Sequence, residues 1–373
     1  MKVLFLVPYP KACVPSQRLK FEQYFDYFRD NGMEIIFKPF YSHFIYEYFY
    51  GKGSLIKCVA VLLGSVRRIF HLWPMLMCDV VFLHLEAVPF GWPLFEWLLF
   101  NVFRKPVIYD IDDMIHMANN RGRSGLYEII RNRNKSKYIA RRSQCIIVVT
   151  EELKKIYSQI NSNITYIPPT IDVKKYLQKE YNIYGNTISK PVCIGWSGSK
   201  TTLQYFASIE PVLKRIHEKY KNDIKFQVIG DKSFKFNSLP VEAKDWKLET
   251  EVSDLQEFDI GLYPLPKNYW VLGKGGLKAL QYMGVGVPVI ATNVGMCSLF
   301  IKNGVNGFLA DSFNEWEETL SGLIESPQLR ESVGKAGRAM VVSHFSVEVH
   351  SKTYLDIFEK IQHEKVSQFC ENK

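Results

Sequence analysis

Gly273-Lys274-Gly275-Gly276-Leu277-Lys278-Ala279-Leu280-Gln281-Tyr282-Met283-Gly284-Val285-Gly286-Val287-Pro288-Val289-Ile290 reads as a glycine-rich loop, a short helix, a glycine stop and a buried strand. Glycines let the backbone approach a ligand closely, and the N–H groups at a helix start favour phosphate oxygens. Lys274 and Lys278 add two cations at the same place. Each charge-assisted hydrogen bond to a diphosphate contributes about 1.5–3 kcal/mol. The same residues also fit a tight turn with two solvated lysines, so the segment takes its meaning from its surroundings.

Outward from this segment, short Val/Ile/Leu-rich runs recur, each followed by a turn and a longer amphipathic stretch. That is how a parallel sheet covered by helices on both faces reads. One series of strands is expected over 192–196, 225–230, 259–263 and 287–292, with helices over 204–219 and 278–283. An earlier series falls at 3–7, 34–38, 80–84, 107–110 and 145–150, with helices over 17–31 and 91–103. It closes at 165–170, where Pro168 and Pro169 cannot continue a strand. Residues 173–190 are polar and read as a linker. The 373 residues exceed one ordinary core and suit two α/β domains, 1–172 and 191–346. Loops at strand C-termini bind the ligands of such sheets, and two consecutive domains imply a cleft between them.

Hydrophobic residues at 47% and charged residues at 23% are globular composition. Cys13, Cys58, Cys78, Cys145, Cys193, Cys297 and Cys370 are scattered, without a CxxC pair, which argues against a disulfide framework and a zinc site. Reduced thiols in a cytoplasmic protein are the expectation. The opening apolar run breaks at Pro8 and reads as a buried first strand, not a signal segment. No run of about 18 apolar residues spans a membrane. The formal charge of +9 suits phosphorylated ligands, an anionic membrane surface or nucleic acid, but no nucleic-acid-binding module accompanies it.

Gly273 to Ile290, followed by Ala291-Thr292-Asn293-Val294-Gly295 and Gly304-Val305-Asn306-Gly307-Phe308-Leu309, resembles the C-terminal lobe of family 4 glycosyltransferases, also called glycosyl transferases group 1. Ile194-Gly195-Trp196-Ser197-Gly198-Ser199 and Phe258-Asp259-Ile260-Gly261-Leu262-Tyr263-Pro264-Leu265-Pro266 match a bacterial branch of it. Tyr166-Ile167-Pro168-Pro169-Thr170-Ile171-Asp172 resembles the end of that family's first lobe. The likeness covers most of 190–345 and is loose in the N-terminal half. It implies a GT-B fold of two Rossmann-like domains facing a central cleft, with the last helix, 347–373, packing back on the first. It also implies a UDP- or GDP-sugar donor on the second domain and a retaining transfer without metal or cofactor. The donor contacts so implied are Trp196, Ser197, Gly198, Ser199, Lys274, Gly275, Gly276, Leu277, Lys278 and Gln281. Two family glutamates, eight apart, fall here on Gly273 and Gln281. An amide still donates to and accepts from ribose hydroxyls, whereas glycine replaces no carboxylate.

Ser199 or Thr201 also suits capping of the helix that follows. On the first domain, Tyr109-Asp110-Ile111-Asp112-Asp113 ends a strand. Three carboxylates so close repel, so a cationic partner or a raised pKa is required. Asp110, Asp112 and Asp113 suit orienting an acceptor hydroxyl, acting as base or binding a metal as in metal-dependent transferases; an acidic helix start is the plainer reading. Lys274 joins them as the catalytic cation opposite the leaving diphosphate. Ser16 and Arg18 in the first strand-to-helix loop, and His84 and Glu86 at another strand end, are the acceptor-side candidates. Lys57, Arg67, Arg68, Arg104 and Lys105 interleave with Ile56, Trp73, Trp92, Phe95 and Trp97 over 54–77 and 89–105. Such basic-aromatic patches suit peripheral contact with an anionic membrane. Together these readings describe transfer of a sugar to a glycan or lipid-linked acceptor in bacterial surface polysaccharide synthesis. A catalytically silent sugar-nucleotide or glycan-binding subunit and a nucleotide-sugar epimerase are the alternatives.

Overall fold

Five of the six residues of Lys2–Val7 (β1) are buried in succession. A strand covered on both faces lies inside a parallel sheet, because helical crossovers blanket each side. The remaining strands of its sheet are Glu34–Pro39 (β2), Val80–His84 (β3), Val107–Ile111 (β4), Cys145–Val148 (β5) and Ile164–Tyr166 (β6). Their order is β2-β1-β3-β4-β5-β6, all parallel. A second six-stranded parallel sheet uses Val192–Ser197 (β7), Ile224–Ile229 (β8), Glu242–Lys244 (β9), Ile260–Tyr263 (β10), Val289–Thr292 (β11) and Phe308–Ala310 (β12), in the order β12-β11-β10-β7-β8-β9. The computed structural model describes residues 1–49, 54–114, 132, 134–181 and 191–371. It divides into Met1–Pro169 with the chain from His350 onward, and Thr170–Val349.

The high aromatic content of the first third has a packing purpose. Phe5 of β1 meets Phe82 of β3 at 4.8 Å and Phe25 at 4.8 Å, with Phe21 and Phe28 around them. The C-terminal helix Val347–Glu371 completes this core. Tyr354 packs on Tyr24 and Phe358 on Phe28, and Gln144 Nε2 donates to Glu364 at 2.8 Å. The second unit has an aliphatic core, in which Trp196 stacks on Phe206 beside Val228 and Leu262.

Several expectations need correction. The stretch 17–31 is not one helix but Pro15–Arg18, a tight turn Glu22–Tyr24, and Phe25–Asp30. Gln17 and Glu22 interrupt it by taking bonds from Tyr9 N and Ala12 N of the preceding loop. The helix expected over 91–103 is a single α turn, Leu94–Trp97, continued by a π turn, Leu98–Val102. The strands β9 and β12 escape the sequence pattern because each has only three residues at a sheet edge. Residues 173–181 of the expected linker belong to the second unit: Tyr176 OH donates to Glu251 Oε2 at 2.6 Å and Lys179 Nζ pairs with Asp259 at 3.0 Å. The rest of that linker, 182–190, lies outside the described residues. Cys13, Cys58, Cys78, Cys145, Cys193 and Cys297 are free thiols.

Candidate functional site

In the second sheet the chain runs from β7 outward to β8 and β9, then returns to place β10 on the other side of β7. Such a reversal opens a crevice at the carboxyl ends of the two central strands. Ser197, Gly198 and Ser199 stand at the end of β7. Ser197 N donates to Tyr282 OH at 2.7 Å, and Gly198 N to Ile229 O at 3.0 Å. Ser199 Oγ lies 2.9 Å from Thr201 Oγ1, and Thr202 Oγ1 donates to Ser199 O at 2.9 Å. These hydroxyls close a turn. They do not cap the next helix, Leu203–Ala207, whose first residues carry no side-chain cap, so capping by Ser199 or Thr201 is corrected.

The glycine-rich loop reaches the same place. Gly276 has φ 73° and precedes the helix Leu277–Gly284, which also lacks a side-chain cap. A Cβ at Gly276 would stand 2.7 Å from the Phe300 ring, so both conformation and space require glycine. Lys278 Nζ lies 3.5 Å from Ser197 Oγ, which joins the loop to the end of β7. Lys274 and Leu277 are partly exposed, whereas Gly273 and Gly275 are buried. Cations, a left-handed glycine and a helix N-terminus together make an anion cradle.

Two of the expected donor contacts are elsewhere. Trp196 is buried in the core against Phe206. Gln281 is fully buried and donates through Nε2 to Tyr176 OH at 2.9 Å and to Glu251 Oε1 at 3.0 Å. Trp246 Nε1 adds a third donor to that carboxylate, at 2.9 Å. The amide at 281 thus supplies what a carboxylate would withhold, a donor to buried Glu251. Gln281→Glu should put two carboxylates within 3 Å of each other and cost roughly 1–3 kcal/mol, read by urea melts at neutral pH. Unchanged stability would show that this amide is not needed as a donor.

In the first sheet the reversal falls between β1 and β3, and the acidic cluster sits beside it. His84 and Asp110 are register partners on β3 and β4, which places their side chains side by side. His84 Nδ1 is 2.6 Å from Asp110 Oδ2, and Lys20 Nζ is 2.5 Å from Asp110 Oδ1. All three side chains are buried. Burial pushes the Asp110 carboxyl upward, but the Lys20 charge and the His84 hydrogen bond hold it below the ordinary carboxylate value. The cationic partner that the acidic run demanded is Lys20, on a turn inside the stretch 17–31 expected to be helical.

Asp110 is therefore committed to Lys20 and His84, and neither it nor His84 reaches solvent, which corrects both as substrate contacts. Glu86 is likewise buried. Asp112 and Asp113 are partly exposed; Asp112 Oδ1 lies 4.0 Å from His84 Nε2, and Asp113 Oδ1 accepts from Met114 N at 2.9 Å. Ser16 and Arg18 are half-buried on the short helix Pro15–Arg18. Gln17, Lys20, Glu22, Glu251 and Tyr282 join these networks without a sequence pattern that marks them. Their signal is slight, since polar side chains in amphipathic stretches ordinarily face water.

Arg68 also departs from expectation. It is buried and donates to Val7 O, Lys38 O and Ala87 O at 2.7–2.8 Å, gathering the ends of β1 and β2 and the loop after β3. Burial lowers its pKa to about 9. It is a structural clamp, not a surface cation.

Residues 209–340 match the family described as Glycosyl transferases group 1. Over 62 residues the chain is 40% identical to the D-inositol 3-phosphate glycosyltransferase of Paenarthrobacter aurescens, a match spanning 16% of this chain and 15% of that one. The structure superposes on Anabaena HepE in complex with UDP-glucose (TM-score 0.67, 14% identity, 96% of this chain and 100% of that one). It also superposes on sucrose-phosphate synthase of Thermosynechococcus elongatus (TM-score 0.68, 12% identity, 98% and 100%). Two parallel α/β units of this kind have the GT-B fold. The match to the glycosyl transferases group 1 falls within the second unit, Thr170–Val349.

Proposed function

We propose that this protein transfers a sugar from a nucleoside-diphosphate sugar to a glycan or lipid-linked acceptor. The observation that carries the reading is the cradle beyond β7 and β10, where Lys274 and Gly276 lead into the helix Leu277–Gly284 and Lys278 of that helix lies 3.5 Å from Ser197. Negative charge grows on the departing diphosphate, and fixed amides and cations stabilise it most as it leaves. HepE was crystallised with UDP-glucose, which supports a uridine nucleotide as the first donor to test. Retention of configuration, metal-independent transfer, a cytoplasmic site of action and a role in surface polysaccharide synthesis belong to the same proposal. The acceptor side falls to Asp112, Asp113, Ser16 and Arg18.

Calorimetric titration with UDP, GDP and their common sugar conjugates tests the reading. One nucleotide should bind at about micromolar Kd, or roughly −8 kcal/mol. Lys274→Ala should weaken it by about 10- to 100-fold, the loss of one charge-assisted contact. If no nucleotide binds, the transferase reading falls. Binding without turnover on a broad acceptor panel would favour the silent subunit.

A further inference from the structure

The helix Ser54–Phe70 has two faces that a soluble surface helix does not usually combine. Ala60, Gly64 and Arg68 follow one another every fourth residue and are buried. A Cβ at Gly64 would fall 2.4 Å from the Phe40 ring, and Arg68 is bonded to the carbonyls of Val7, Lys38 and Ala87, so this side is seated flush on the first unit. The opposite side carries Val59, Leu62, Leu63, Val66, Ile69 and Phe70, every one of them exposed. Their spacing of three and four residues makes a continuous apolar stripe. Leu62 is 65% exposed, Phe70 76%, and Trp73 on the next helix, Leu72–Met77, 69%. A stripe of this size is a contact surface and not scattered surface hydrophobicity.

We propose that this face lies in the headgroup region of an anionic lipid bilayer, with the helix parallel to the membrane plane. Charge favours lipid over a protein partner. Residues 54–77 contain no Asp or Glu, although the chain has 38, while the same helix carries the exposed Lys57 and the partly exposed Arg67. Exposed Trp73, and exposed Trp92 and Trp97 on the same unit, are suited to the interface between water and acyl chains. Among the described residues no helix is long and apolar enough to cross a membrane, and the seated side of this one fixes it to the sheet. It therefore inserts sideways and shallowly. The surface belongs to the first unit and the donor cradle to the second, so the proposal stands or falls independently of the sugar transferred.

Flotation of the full chain with vesicles of phosphatidylcholine, alone and with phosphatidylglycerol added, tests the proposal. The chain should float with the anionic vesicles and less with the neutral ones, and salt should weaken the binding. Leu62→Glu/Phe70→Glu should cut vesicle partitioning by at least about 100-fold. Leu299→Glu, at an exposed leucine of the other unit, should leave partitioning unchanged. The substituted positions face outward, and an unchanged circular dichroism melt will show that the fold is kept. Failure of the native chain to bind either vesicle overturns the proposal, as does equal binding by the double variant. A lipid-free dimer that the double variant dissociates would assign the face to a second copy and overturn it too.

Discussion

Asp110→Asn should destabilise the first unit by about 3–5 kcal/mol, the penalty for leaving a buried charge without its partner. The amide keeps the carboxylate's shape and still accepts a hydrogen bond, so no cavity arises. What disappears is the negative charge 2.5 Å from Lys20, whose side chain is 3% exposed. An ammonium so placed must stay uncompensated, shed its proton or drag the turn outward to water. Lys20→Met/Asp110→Asn should therefore regain most of the lost stability, since a well-packed apolar group often replaces a buried pair at little cost. Urea melts of the two single variants and the double close the cycle. Additive losses would mean that Lys20 and Asp110 act separately.

The same pair predicts a pH dependence. The folded-state pKa of Asp110 is depressed, so its contribution is complete above the unfolded value of about 3.9 and is lost as pH falls through the folded value. The stability gap between native chain and Asp110→Asn should be widest near neutrality and narrow on acidification below about pH 4. A gap that does not change with pH would contradict the ion pair.

The Lys20–Asp110 pair marks the boundary of what the sequence makes legible here. Strand positions came through well because parallel strands are apolar on both faces; β3 spans the expected residues, and β1 and β7 differ from expectation by one. The cradle was visible for a similar reason: glycines before a helix and a nearby cation form a local pattern. Lys20 was not legible. A lysine between Leu19 and Phe21 reads as the polar side of a surface helix until Asp110, ninety positions later, is known to lie beneath it. Arg68 is opaque on the same ground, because its three acceptors are backbone carbonyls distant in sequence. Gln281 failed differently. Family position suggested a ribose contact, but buried Glu251, thirty residues upstream, claims its donor. Function-bearing polar residues were readable where they act locally, and opaque where a long-range partner decides their orientation.

Gly230→Ala should have the second large effect, on both fold and donor binding. Gly230 follows β8 with φ 145°, a conformation that L residues rarely adopt, and a Cβ there would stand 1.9 Å from the carbonyl oxygen of Gly198. Neither atom belongs to a flexible side chain, so one backbone segment must move. Both amides are tied, Gly198 N to Ile229 O at 3.0 Å and Gly230 N to Lys244 O at 2.8 Å, but Gly198 leads into the exposed turn at Ser199 and Lys200 and is the one with room to move. The expected loss is about 2–5 kcal/mol from conformational strain and the forced shift together. Gly304→Ala separates the two contributions, for Gly304 has φ 76° with nothing within 4 Å of its Cβ position and should cost only about 1–2 kcal/mol. The functional consequence follows from geometry. Displacing Gly198 shifts the neighbouring Ser197 away from Lys278, so nucleotide affinity should drop by at least about 10-fold, or 1.4 kcal/mol, in protein that remains folded. Calorimetry on both variants decides the matter. Loss of stability with wild-type nucleotide affinity would remove the Gly198 turn from the donor site and leave the cradle to the loop at Gly276 alone.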